Sequence, residues 1–83
     1  MVWYLINRYT FSDRSLVIEH SIDACKAKCS KRALLLVANR IALKPGQHLQ
    51  AEPCITRDDI DRAIRTCLNT AKMRFEFEEL MNA

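Results

Sequence analysis

The sequence predicts a mainly α fold: an antiparallel helical hairpin, with helices at about 15–43 and 57–80, behind a short extended N-terminal segment. Three observations predict it. The chain has one glycine and two prolines, all within Pro45–Pro53, where average usage would give roughly six and four. Glycine and proline punctuate turns, so one punctuated stretch predicts two long segments folded about one loop. Apolar residues then recur at three and four in each segment: Ile22, Cys25, Cys29, Ala33, Leu36 and Val37 in the first, and Ile60, Ala63, Ile64, Cys67, Leu68 and Ala71 in the second. That spacing lines one face of a helix.

Taken in order, residues 2–11 are crowded with aromatic and β-branched side chains, which predicts a strand. Two readings meet at residue 12. In one, Ser12 caps a helix that continues through Leu16, Ile18 and Ile22. In the other, Trp3–Phe11 and Leu16–His20 are strands joined by Ser12–Ser15, and Ser21 caps a later helix. The hairpin reading adopts helix from about 15. Ala33–Ala42 is rich in helix formers, and Pro45-Gly46 ends the run. Residues 44–55 then form a long loop.

The second helix starts at Thr56, whose hydroxyl suits the free N–H groups of a first turn, with Asp58 and Asp59 at its positive dipole end. Ile55–Ile64 resembles the helix openings of ATPase lid domains and histone folds; capping chemistry alone produces the likeness, and no family follows from it. Past Ala71, Met73, Phe75 and Phe77 alternate with charged residues at the strand period. A continued helix instead places Met73, Phe77 and Leu80 on a second apolar stripe. The alternative to the hairpin is thus an α+β arrangement, with residues 2–20 as a β-hairpin and 72–79 as a strand.

Eighty-three residues predict one domain with a thin stability margin. No run approaches the roughly 18 apolar residues of a membrane span, and Val2–Ile6 is too short for a signal-peptide core. The expectation is a cytoplasmic protein that does not bind membranes. The net charge of +3 is mild, and the pI of 8.8 falls short of the usual nucleic-acid footprint. The charge is nonetheless polarised: 24–44 holds Lys26, Lys28, Lys31, Arg32, Arg40 and Lys44 and no acid, while Glu76, Glu78 and Glu79 cluster near the end.

Candidate chemistry is sparse. Cys25, Cys29 and Cys67 with His48 or Cys54 could supply a tetrahedral zinc set. The spacing is not that of zinc fingers, and Cys25, Cys29 and Cys67 fall on the predicted apolar faces, where free cysteine serves as a small core residue. No cysteine stands beside a histidine with an orienting group. The sequence therefore predicts no enzyme and no cofactor. A basic strip of Lys28, Lys31, Arg32 and Arg40 could meet phosphates, which makes a nucleic-acid-binding regulator one alternative and a thiol or zinc sensor another. The reading preferred is a small protein-interaction or oligomerisation module, self-associating or binding another protein through Trp3, Tyr4, Tyr9, Met73, Phe77 and Leu80, since surplus apolar surface on a small domain marks interfaces.

Overall fold

The structure, a computed structural model, describes residues 1–82, and for 73–78 and 80–82 the backbone alone. It is an α+β fold rather than a mainly α helical hairpin. The elements are β1 (Val2–Ser12), β2 (Ser15–Ala27), α1 (Ser30–Ala38), β3 (Gln47–Pro53) and α2 (Arg57–Asn82). The strands form one antiparallel sheet in the order β2-β1-β3. One helix lies on each face.

The central strand explains the layering. Side chains alternate across a strand, so Tyr4 and Ile6 of β1 face α1 while Trp3 and Leu5 face α2. On the first side they pack with Cys25, Ala27, Ala33 and Val37; on the second, with Ala24, Cys54, Ala63, Ile60 and Cys67. A strand buried on both faces reads as a continuous apolar run, as Val2–Ile6 does. Small residues at the contacts, Ala24, Ala27, Ala33 and Ala63, are each at most 1% exposed, which lets both helices sit close to the sheet.

Three expectations fail for related reasons. The stretch assigned to a helix from about 15 is β2 as far as Ala27. The three-and-four repeat from Ile22 to Val37 splices two elements: Ile22 and Cys25 belong to a strand, Ala33 and Val37 to a helix. Cys29 is extended (φ −155°, ψ 168°) at the junction, so Cys25 and Cys29 do not share a helical face. Leu36, expected inside, is 48% exposed, because α1 turns Ala33 and Val37 inward. The supposed loop 44–55 contains β3, which pairs with β1 from Tyr4↔Pro53 to Thr10↔Gln47.

The second helix starts as expected: the Thr56 hydroxyl accepts the Asp59 N–H at 3.1 Å. It continues to Asn82, so 72–79 is helix and not strand. Its inward residues are Ile60, Ala63 and Cys67, whereas Leu68 is 64% exposed.

An ion pair ties the end of α1 to the sheet. Asp23 is 2% exposed on the α1 side of β2. Arg40, just past the helix, donates to it from Nε at 2.8 Å and Nη2 at 3.2 Å, and the Ala24 N–H donates to the same carboxylate at 2.7 Å. A buried carboxylate requires such partners.

Candidate interaction surface

The two halves of the sheet are separated by a bulge. Pairing of β1 with β2 runs without a break from Val2↔Ala27 to Ile6↔Asp23, then resumes at Arg8↔Glu19. Asn7 therefore faces the three residues 20–22. Ser21 sits in the left-handed region at φ 55°, where a non-glycine residue is uncommon. Asn7 holds this geometry: its Oδ1 accepts the Ser21 N–H at 2.9 Å, and its Nδ2 donates to Glu52 at 3.2 Å. The side chain is 2% exposed with both ends partnered. Bulges bend a strand and raise its twist.

Beyond the bulge, β1 and β2 continue as a two-stranded arm flanked on one side by β3. A two-residue turn, Asp13-Arg14, closes the arm with both residues at positive φ, 40° and 78°. Type I′ turns require that, and they match the twist of the flanking strands. The Ser15 hydroxyl donates to the Ser12 carbonyl at 2.9 Å. At the flank, the Gly46 carbonyl accepts the Phe11 N–H at 3.0 Å. Gly46 has φ 82°, and a Cβ there would stand 2.8 Å from the Phe11 oxygen, so only glycine fits this approach.

Register determines what the arm presents. Tyr9 opposes Ile18 and Phe11 opposes Leu16, so these four share one face, the side that α2 covers further along. His48, opposite Tyr9, meets the Phe11 ring edge-on with centroids 5.8 Å apart. The Tyr9 hydroxyl donates to Gln50. Among the described residues no helix covers this face: Phe11 is 56% exposed, Leu16 50% and Ile18 39%. The opposite face carries Val17, 55% exposed, and the Arg8–Glu19 pair, joined by two hydrogen bonds of 2.9 and 2.8 Å. Hydrogen bonding from Arg8 holds the Glu19 carboxyl below its ordinary range and raises Arg8 in return.

The expected site residues divide. Tyr9 is half-buried on the arm. Trp3 lies under α2, with the Lys26 ammonium 5.8 Å from its ring centroid. Tyr4 is 7% exposed and belongs to the core. The side chains of Met73, Phe77 and Leu80 lie outside the described residues. Lys28 precedes α1 while Lys31 and Arg32 lie in its first turn, all exposed. Arg40 is turned away from them to Asp23. Cys25, Cys29, Cys67 and His48 sit on separate parts of the fold, and among the described residues no group of three or more His, Cys, Asp or Glu side chains could hold a metal ion. Burial raises the Cys25 and Cys54 thiols above the ordinary range. Among the described residues no helix is long and apolar enough to cross a membrane.

Sequence reasoning missed Leu16, Val17 and Ile18 as surface residues because it placed them in a helix. The available signal was the Ser12–Ser15 link between two β-prone runs. No protein-family model matches this chain, and neither curated proteins nor solved structures show a significant match.

Proposed function

We propose that this chain is a small non-enzymatic protein-interaction module whose working surface is the bare end of its sheet. One observation carries the reading. Tyr9, Phe11, Leu16 and Ile18 continue the sheet face that α2 packs against, and they continue it into solvent. Exposed apolar area forgoes about 25 cal/mol per Å² relative to burial, and a contiguous patch of this kind marks an interface. The occupant is a protein surface. The aromatic and aliphatic side chains offer it apolar contact, and the two histidine nitrogens and Gln50 offer polar contacts at the rim.

A photo-cross-linking amino acid placed at position 11 or 16 in cells making the protein tests this. The expected result is a discrete protein adduct from both positions and none from Arg65, which is exposed on α2. Equal yields at all three positions, or none at any, overturn the reading.

A further inference from the structure

The sheet has two edges, and they differ. β3 is seven residues long, largely polar, and ends in Pro53. Short length and proline blunt an edge against pairing. β2 is thirteen residues long and presents Leu16, Val17 and Ile18 in succession, all exposed. A long apolar edge with free N–H and C=O groups is a template for another strand.

Backbone geometry shows which groups are free. The Phe11 N–H donates toward β3, to Gly46. Phe11 and its partner Leu16 thus form a pair that exchanges no hydrogen bonds, and bonding pairs alternate with such pairs along an antiparallel ladder. It follows that Val17 and Glu19 bond inward to β1, while the N–H and C=O groups of Leu16 and Ile18 point out from the edge.

We propose that a second copy of this chain pairs with that edge, antiparallel and two-fold symmetric, with Val17 opposite Val17. The proposal rests on the interaction-module reading and names its partner. A two-fold axis normal to the sheet keeps each face on its own side, so opposed residues must share a face and their numbers must sum to an even value. Centring on Val17 sets Leu16 against Ile18 and Ser15 against Glu19. Leu16 and Ile18 are the residues whose backbone groups point outward, so each such pair closes two hydrogen bonds. Moving the centre to Leu16 opposes Asp13 to Glu19, acid on acid. Moving it to Ile18 opposes Val17 to Glu19 and Leu16 to His20. The Val17 register alone of these three matches apolar with apolar and opposes no like charges. It unites two three-stranded sheets into one continuous sheet, joins the two Tyr9–Phe11–Leu16–Ile18 faces, and leaves the helix-covered bodies at opposite ends, clear of the junction.

Sedimentation of the purified chain across micromolar concentrations, with two variants, tests this. Ile18→Pro removes an N–H that points outward and is not used in the ladder with β1. Val17→Lys opposes two ammonium groups at the axis. The wild type should be a dimer, and each variant should be monomeric with an unchanged circular dichroism spectrum. Oxidised Val17→Cys should give a reducible dimer linked through position 17 of both copies, whereas Glu19→Cys should not link through position 19. The cysteine pair keeps the proposal testable if either other variant misfolds. A wild type that stays monomeric overturns the pairing, as does a dimer that survives both variants without linkage at position 17. If the cross-linker at position 11 still captures a protein in either case, the interaction-module reading stands while self-pairing falls. Without that adduct both fall.

Discussion

At the Ala27 end of the sheet, Ile6 and Ala24 are completely buried; at the turn end, Phe11 keeps 56% of its surface in water and Leu16 50%. Both ends are made from the same strands, β1 and β2, in similarly apolar sequence. What differs is the cover. Two helices close on the first end from opposite faces, while past Arg8 and its partner Leu49 neither helix covers the sheet among the described residues. Apolar character alone therefore does not place a residue in this core; a side chain is inside only where a second layer reaches it. The bulge at Ser21 marks the boundary, because the ladder is interrupted there and Asn7 replaces the missing backbone pairing with side-chain hydrogen bonds.

The sharpest way to break this comparison is to truncate one residue at each end. Ile6→Ala should cost about 2–5 kcal/mol, since it empties space that the packed layers cannot collapse to fill. Phe11→Ala should stay within about 0.5 kcal/mol, as exposed substitutions do. Urea unfolding at one fixed protein concentration gives both values. Similar losses would mean that the turn end is as well covered as the other.

Arg40–Asp23 and Arg8–Glu19 extend the same contrast to charge. Arg40→Met leaves Asp23 buried with the Ala24 N–H as its remaining donor, and a buried charge stripped of its counter-ion costs about 3 kcal/mol. The unfolding midpoint should drop accordingly. A change as small as that of a surface pair would show that water reaches Asp23.

The smallest effect is expected at Arg8–Glu19, where the carboxylate side chain is 44% exposed against 2% for Asp23, although the two arginines are about equally covered. The native Glu19 carboxyl lies below its unfolded value of about 4.3. The stability linked to it is thus present above that value and lost as pH falls through the lowered native one. Glu19→Gln should remove this part of the acid-side decline and shift the neutral-pH midpoint far less than Arg40→Met does. A larger shift than for Arg40→Met would reverse the ranking of the two ends.

Several features were legible in the residues themselves. Thr56 and the aspartates after it announced the start of α2, because a cap is satisfied by groups within one turn. The crowding of β-branched and aromatic side chains marked β1. Pro45-Gly46, expected to end a helix at about 43, instead lies well past the end of α1 at Ala38. The proposed interaction surface was legible only in part. Its aromatic content points to Tyr9, but helical spacing hides Leu16, Val17 and Ile18, and Tyr4 lies in the core rather than outside.

These outcomes separate by the range of the forces involved. The α2 cap and the strand character of residues 2–11 are set by contacts within a few positions. Contacts between distant segments make Ser15–Ala27 a strand, bring residues 47–53 into the sheet and set where the covered half stops. Ala24, Cys25, Lys26 and Ala27 have no strong strand preference of their own. Their conformation follows from pairing with Val2–Leu5 some twenty residues away and from the helices closing on both faces, and strand propensity is largely that context.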